Sequence, residues 1–241
     1  IAQIYGQVQT AIAGAERVFA LLDVAGEDKS GEPLAEEQAE VSFRHVTFSY
    51  QPGHPVLRDF TLAVPSGKKV ALVGATGSGK TTVVNLLMRF YDPDSGEILV
   101  GGQKIQDVSR DSLRKEIAIV LQDTVLFTDT IRSNLTYGNP DATQAQLDAA
   151  VEMSRCDELL RLLPQGWDTV LTGGGTSISQ GQRQLLAIAR AFIADPRILI
   201  LDEATSNVDT RTEKAIQDAM PVVGDTTVAV SLINGLGNDD N

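Results

Sequence analysis

The sequence predicts an α/β protein with a mainly parallel central sheet. Three continuous aliphatic runs indicate the strands of this sheet: Val70–Val73, Ile117–Leu121 and Ile198–Leu201. Continuous runs, rather than alternating ones, are typical of parallel strands that are buried on both faces. Stretches with apolar residues at helical spacing lie between these runs, which favours strands connected by helices.

The composition is ordinary for a globular protein except in its charge. Hydrophobic residues make up 42% of the 241 residues, and 20 basic residues against 32 acidic ones give a net charge of −12. An acidic surface repels phosphate backbones, which argues against nucleic acid as a partner. The single cysteine, Cys156, cannot form an internal disulfide, and a reducing compartment is therefore permitted.

The N-terminal part of the chain separates into a helix and a linker. Residues 1–22 have apolar residues at helical spacing and are predicted to form an amphipathic helix. A helix that only packs against the rest of the protein is as good an interpretation as one with a special role. Residues 23–40 are rich in Gly, Glu, Asp and Pro, and they are predicted to form a linker. No apolar run approaches the roughly 18 residues of a membrane span. The first residue is Ile1 rather than methionine and no signal peptide precedes it, so we expect a piece of a longer polypeptide.

Between residues 41 and 64, apolar residues recur at about every second position, as in a β-strand with one buried face. Segments 41–50 and 56–64 flank a Pro-Gly-His-Pro turn, and we expect them to form antiparallel strands in a hairpin. A further short strand is predicted at Glu97–Gly102, after a turn that begins at Asp92.

A glycine-rich segment follows the first aliphatic run and matches the P-loop pattern G-x-x-x-x-G-K-[ST]. Glycines let backbone N–H groups turn toward phosphate oxygens, and the next helix, predicted to end near Phe90, presents its positive end to them. Lys80 would reach the β- and γ-phosphates, and the Thr81 hydroxyl would ligate Mg²⁺. The alternative is a strand-to-helix turn without a ligand. The candidate phosphate-binding residues are Gly74, Ala75, Thr76, Gly77, Ser78, Gly79, Lys80, Thr81 and Thr82.

Two acidic residues follow the third aliphatic run, as a P-loop site requires. Asp202 is positioned to hold Mg²⁺ beside the phosphates, as a Walker B aspartate does. Glu203 could orient, or accept a proton from, the water that attacks the γ-phosphate. An ordinary strand end with two surface acids is the alternative.

The remaining segments are mostly helical. Helices are predicted at 112–116, at 141–163 with Asp141 as the cap, at 182–194 and at 210–220, with a last strand at 226–231 and a flexible break at Gly173–Gly175. Ser179 and Gly181 open the helix 182–194 and make a second anion site at a helix N-terminus. If two copies meet head to tail, each such site can close over the partner's ATP.

With these motifs in this order, the chain from about residue 40 to residue 231 resembles the ATP-binding cassette (ABC) family, and specifically the nucleotide-binding domain of exporters. Residues 178–182, Ile-Ser-Gln-Gly-Gln, resemble the signature motif, and the resemblance implies that Ser179, Gly181 and Gln182 bind the partner's nucleotide. Residues 206–209 resemble the D-loop, whose Asp209 reaches the opposite site. Gln122 resembles the Q-loop glutamine, a Mg²⁺ ligand with a catalytic role beside Glu203 and Lys80. Tyr50 resembles the aromatic residue that stacks on adenine.

The resemblance also implies an architecture and partners. It implies a P-loop NTPase core, an N-terminal antiparallel β-subdomain and an inserted helical subdomain at about 123–194, all within a C-terminally truncated nucleotide-binding domain, 41–241. Residues 1–22 would then be the end of the last transmembrane helix or a connecting helix. The expected partners are a second nucleotide-binding domain, in a homo- or heterodimer, and the exporter's transmembrane domain. The expected location is the cytoplasmic face of the inner membrane, and the cofactors are ATP and Mg²⁺.

One departure from the family concerns turnover. The family places a histidine after the strand near residue 231, whereas this chain has Ser231, Leu232 and Ile233. Leucine cannot donate a hydrogen bond to a phosphate, so we expect ATP binding with slow hydrolysis. The leading hypothesis is the ATP-binding and ATP-hydrolysing domain of an exporter. The alternatives are a nucleotide-binding regulatory module with little turnover and a soluble, non-transport ABC ATPase.

Overall fold

The structure, a computed structural model, describes residues 2–35, 40–121, 123–202 and 227–234. The chain divides into two compact units, residues 1–30 and residues 31–241. The first unit contains helix α1, Ala2–Leu22, and confirms the predicted N-terminal helix. The apolar side chains of this helix are exposed. Within the described ranges, no helix has both the length and the apolarity needed to cross a membrane.

The second unit contains eight described strands and six described α-helices. The strands are β1 Val41–Phe48, β2 Leu57–Val64, β3 Lys69–Gly74, β4 Ser95–Val100, β5 Gln103–Lys104, β6 Ile117–Val120, β7 Ile198–Asp202 and β8 Val228–Asn234. The helices are α2 Lys80–Leu87, α3 Arg110–Lys115, α4 Ile131–Thr136, α5 Gln144–Met153, α6 Asp157–Leu162 and α7 Gln180–Ile193, with a 3-10 turn at Gly166–Asp168.

The described strands form two sheets of different character. The first sheet is antiparallel in the order β2-β1-β4-β5, and it contains the hairpin predicted from the alternating pattern. The second sheet is parallel in the order β3-β8-β7-β6. The structure therefore confirms an α/β fold with a parallel central sheet and an antiparallel β-subdomain.

Two of the three aliphatic runs are less buried than predicted. In β3, side chains alternate between half-buried and exposed, and Val73 is 64% exposed. The reason is that β3 pairs only with β8 in the described part of the sheet, and only Val70 and Leu72 face the core. Leu121 lies beyond the end of β6 and is exposed. The run in β7 is fully buried, as predicted.

Several predicted boundaries were wrong, and local hydrogen bonds explain two of them. The helix predicted at 141–163 is two helices, α5 and α6, and its cap is Thr143 rather than Asp141, because Thr143 and Gln146 close a capping box. The helix predicted at 182–194 starts two residues earlier, after the cap residue Ser179. The strand predicted at 226–231 extends to Asn234, since it pairs with β3 up to Gly74.

Part of the predicted linker 23–40 belongs to the second unit and is packed within it. The Glu32 N–H donates to the Asp107 carbonyl at 2.9 Å, and the Glu32 carbonyl accepts from the Ser109 N–H at 2.8 Å. Leu34 is buried in the same hydrophobic cluster as the strands of the antiparallel sheet. Residues 32–34 are therefore held by backbone hydrogen bonds and apolar packing.

The hydrophobic core forms two clusters, one for each subdomain. The first joins the antiparallel sheet, α2 and the inner faces of β7 and β8. The second packs α4–α7 against β6 and the other face of β7, and it includes Cys156. The strands β6 and β7 thus contribute residues to both clusters, which ties the helical segment to the parallel sheet.

Burial of the Cys156 thiol predicts a pH dependence of stability. Desolvation raises the pKa of Cys156 from 9.0 to about 12. Above pH 9 the unfolded chain releases this proton while the folded chain keeps it, so the free energy of unfolding should fall as pH rises, by about 1.4 kcal/mol per pH unit. The stabilising contribution is fully present below pH 9. Denaturant titrations between pH 8 and 10.5 measure it.

Cys156→Ala provides the control for this measurement. The variant has no thiol to titrate, so its stability should fall less steeply with pH than that of the parent chain. Equal slopes for the two proteins would show that the buried thiol contributes nothing to alkaline destabilisation.

Candidate nucleotide-binding site

The predicted P-loop lies between β3 and α2, at the carboxyl edge of the parallel sheet. Residues Ala75–Ser78 are exposed, so the loop is open to a ligand. The cap position of α2 is Gly79, which supplies no side chain to cap the N-terminus of the helix. The first N–H groups of a helix have no acceptor within it, so this N-terminus can donate to an anion.

Lys80 is the first residue of α2, and its side chain folds back across the loop. The Lys80 Nζ donates to the Gly74 carbonyl at 2.6 Å and to the Ala75 carbonyl at 3.1 Å. These two acceptors belong to consecutive residues at the end of β3, where the loop begins. The ammonium group of the residue that ends the loop is thereby held against the residues that begin it, where a phosphate oxygen could replace a carbonyl.

Glycine is required at the cap of α2 for conformational and steric reasons. Gly79 has φ of +93°, in the left-handed region that favours glycine. A Cβ at this position would also lie 2.9 Å from Leu57 Cδ2, on the neighbouring β2. Gly77 is left-handed as well, with φ of +82°, but a Cβ there would meet no atom within 4 Å.

The hydroxyl groups after Lys80 face different surroundings. The Thr81 side chain is exposed, which suits a ligand to a cation in the open site. Thr82 is buried, and its Oγ1 accepts a hydrogen bond from the Tyr50 hydroxyl at 3.3 Å. Thr82 therefore helps to connect Tyr50 with the P-loop helix.

Tyr50 lies beside α2, next to the predicted phosphate site. Asn85 donates through Nδ2 to the Tyr50 hydroxyl at 3.1 Å. The Tyr50 ring packs edge-on against Phe48, at a centroid distance of 4.9 Å, and against Tyr91, at 5.1 Å. The ring is 46% exposed, which leaves apolar surface for a base to stack on. The contacts of Asn85 and Tyr91 with Tyr50 were not predicted. The sequence offers one signal for them, the i, i+3 spacing of Thr82 and Asn85, which places both residues on one face of α2.

Asp202 ends β7 at the same edge of the sheet as the P-loop. In the parallel register, Asp202 lies opposite Leu232 of β8, and Asn234 of β8 lies opposite Gly74 of β3. The carboxyl ends of β3, β8 and β7 are therefore neighbours, and ligands of open α/β sheets bind outside this edge. Within the described residues, no cluster of His, Cys, Asp and Glu forms a metal site on its own.

The second predicted anion site lies at the N-terminus of α7. Ser179 is exposed and caps the helix, because its Oγ accepts from the Gln182 N–H at 3.2 Å. Gln182 Oε1 accepts from the Ser179 N–H at 2.9 Å and completes a capping box. Gly181 is buried in the first turn. The Gln182 side chain is thus engaged in the cap, while the Ser179 hydroxyl proton remains available for donation to a ligand.

Arg190 fixes the other end of α7 to the loop that follows the predicted Q-loop. Its guanidinium donates to the Asn134 carbonyl at 2.9 Å, to Asn134 Oδ1 at 3.1 Å and to the Val125 carbonyl at 3.1 Å. It also lies over the Phe127 and Tyr137 rings. Burial lowers the pKa of the Arg190 guanidinium. The helix that carries Ser179 is therefore held by several hydrogen bonds to α4 and the loop before it.

Three predicted site residues lie outside the described residues: Gln122, Glu203 and Asp209. The predicted D-loop, 206–209, and the predicted helix 210–220 lie there too. Leu232, where the family resemblance places a histidine, is 1% exposed and packs in the first core cluster. Its side chain belongs to the core of the described structure rather than to an open phosphate site.

Comparisons with known proteins agree with this geometry. The ABC transporter family matches residues 57–206. The chain is 51% identical over 221 residues to a fatty acid ABC transporter ATP-binding/permease protein of Mycobacterium bovis, covering 91% of this chain and 35% of that protein. It is 44% identical to an ATP-dependent lipid A-core flippase of Legionella pneumophila, covering 93% and 39%.

A solved structure matches as well. A bacterial Atm1-family ABC exporter with ATP bound superposes with a TM-score of 0.86 at 36% identity, covering 97% of this chain and 41% of the exporter chain. The chain belongs to the ABC transporter family. The matched region is the ATPase domain of that family, and such domains bind ATP. The chain spans between a third and two fifths of the length of the curated relatives described above.

Substitution of Gly79 tests the steric requirement at the cap of α2. Gly79→Ala should destabilise the domain by about 1–2 kcal/mol from left-handed backbone strain, with an added cost from the Leu57 contact. It should also weaken ATP binding, because relief of the strain turns the N–H groups of α2 away from the site. Denaturant unfolding and nucleotide titration measure the two effects.

Gly53→Ala is the matched control for Gly79→Ala. Gly53 has φ of +81°, and a Cβ there would meet no atom within 4 Å. This variant should carry the backbone strain alone and should bind ATP as the parent does. If Gly79→Ala were no less stable than Gly53→Ala and bound ATP normally, the steric account of the cap would be wrong.

Proposed function

We propose that this domain binds Mg-ATP at the P-loop and hydrolyses it in a head-to-tail dimer that drives export across a membrane. The observation that carries the proposal is the open loop Gly74–Gly79, with Lys80 held across it at the uncapped N-terminus of α2. This arrangement offers backbone N–H donors and a cation to the same phosphate groups. The domain would act at the cytoplasmic face of the membrane, joined to a transmembrane domain.

The residues at the sheet edge suit Mg²⁺ as the cofactor. Thr81 has an exposed hydroxyl and Asp202 ends a strand at the same edge, so the donors are oxygens, which Mg²⁺ prefers. We propose Gln122 as a further ligand, on the family resemblance. The bound cation would neutralise charge on the β- and γ-phosphates.

Each remaining residue has a distinct proposed role. Lys80 would stabilise charge that develops on the γ-phosphate, and Glu203 would orient the attacking water and accept its proton. Ser179, at the N-terminus of α7, would donate from one protomer to the γ-phosphate on the other, with Gly181 and Gln182 beside it. Asp209 would contact the opposite site of the dimer.

Two relatives indicate the class of cargo. They are described as a fatty acid transporter and a lipid A-core flippase, so we propose an amphipathic lipid or fatty acid as the exported substrate. An alternative function is a nucleotide-binding regulatory module with little turnover. The burial of Leu232 favours it, because no hydrogen-bond donor replaces the family's histidine at that position.

Nucleotide titration tests the ATP site. Lys80→Ala should lower the affinity for Mg-ATP by at least tenfold, since a charge-assisted hydrogen bond contributes roughly 1.5–3 kcal/mol. Lys68→Ala is the control, because Lys68 lies outside the loop and should not affect affinity. If Lys80→Ala bound Mg-ATP as tightly as the parent chain, residues 74–82 would not be the phosphate-binding loop.

Sedimentation tests the head-to-tail dimer. Glu203→Gln should keep the γ-phosphate contacts but slow hydrolysis, so Mg-ATP should convert this variant from monomer to dimer. Combining it with Ser179→Arg should prevent dimerisation, because a bulky cation would fill the second anion site. A Glu203→Gln chain that stays monomeric at all protein and Mg-ATP concentrations would contradict the proposal.

A further inference from the structure

Tyr50 is surrounded by side chains that hold both its hydroxyl and its ring. Two side chains that no motif includes, Asn85 and Tyr91, contact the tyrosine that the proposed function places against adenine. Neither residue belongs to the phosphate-binding loop. Both lie on or just after α2, the helix that begins at Lys80.

The hydroxyl of Tyr50 is held by two groups of α2. It donates to Thr82 Oγ1 at 3.3 Å and accepts from Asn85 Nδ2 at 3.1 Å. Thr82 and Asn85 are three residues apart and therefore share a face of the helix. Both the donor and the acceptor capacity of the phenol are used, which fixes the position of the ring's far end relative to the P-loop helix.

The ring of Tyr50 is held by two other aromatic rings. Phe48 and Tyr91 each meet it at nearly a right angle, with interplanar angles of 84° and 88°. Phe48 and Tyr91 also contact each other, at a centroid distance of 5.5 Å, so the three rings form a closed cluster. Phe48 is buried, whereas Tyr50 and Tyr91 are each 46% exposed. Rotation of the Tyr50 ring would break contacts on both sides.

We propose that Tyr91 and Asn85 are positioning residues for the base: they fix the Tyr50 ring in the orientation that stacks on adenine. This inference depends on the proposed function, in which Tyr50 binds the base and the P-loop binds the phosphates. A ring held in place before binding loses less conformational freedom when the base stacks on it. The effect on binding should be selective for the base, because the proposed function places the phosphates at the P-loop and only the base against Tyr50.

The test compares the affinities of Mg-ATP and of Mg-bound inorganic tripolyphosphate, measured by displacement of a fluorescent ATP analogue from the full chain. Tyr50→Ala should lower the ATP affinity about 5- to 150-fold, the range expected for loss of base stacking. Tyr91→Leu and Asn85→Ala should each lower it about three- to tenfold. Tripolyphosphate affinity should not change in any of these variants.

A double-mutant cycle separates positioning from direct contact. If Tyr91 acts through Tyr50, Tyr91→Leu should have no further effect in a Tyr50→Ala background. Equal losses in both backgrounds would show an independent contact and overturn the positioning role. Tyr91→Phe, which keeps the ring, should bind ATP as the parent does, and Asn85→Ala tests the positioning role even if Tyr91→Leu fails to fold.

Two controls identify which claim fails. Tyr5→Leu removes another exposed tyrosine, in helix α1, and should leave both affinities unchanged. If Lys80→Ala and Tyr50→Ala weaken ATP binding but Tyr91→Leu and Asn85→Ala do not, the inference fails and the proposed function stands. If Lys80→Ala has no effect, the proposed function fails first. Equal losses for ATP and tripolyphosphate in Tyr91→Leu would also overturn the inference.

Discussion

The site depends on one strand pairing, in which β8 lies between β3 and β7. The three strands are parallel, and β8 pairs with both neighbours over most of its length. This pairing places the end of β3, which leads into the P-loop, and the end of β7, which carries Asp202, at one edge of the sheet. Backbone hydrogen bonds contributed by residues 228–234 therefore align two motifs that are more than a hundred residues apart in sequence.

Much of this arrangement follows from the sequence, because the decisive signals are local. The P-loop pattern contains its own turn glycines and its own helix start, and the acid at position 202 follows a run of four aliphatic residues. The antiparallel hairpin was equally predictable, since the apolar period of two selects one face for the core. The structure and the comparisons confirm the fold class and the family.

Other features were not predictable, because they depend on partners distant in the chain. Strand β3 is only partly buried because it pairs with β8 alone in the described part of the sheet. A run of apolar residues in the sequence does not show how many neighbours a strand will have. The cap of α5 is Thr143, since Gln146 completes its capping box, whereas Gln144, three residues after Asp141, hydrogen-bonds to Arg132 and Asp148 instead. The ring cluster around Tyr50 needs Tyr91, which follows α2, to contact Phe48 at the end of β1.

The central claim is that the loop Gly74–Gly79 and Lys80 bind the triphosphate of ATP. A crystal structure of the chain with Mg²⁺ and a non-hydrolysable ATP analogue tests it most directly. In that structure, we expect Lys80 Nζ to leave the Gly74 and Ala75 carbonyls for phosphate oxygens, with the base against Tyr50. A triphosphate bound away from residues 74–82, with Lys80 still on both carbonyls, would contradict it.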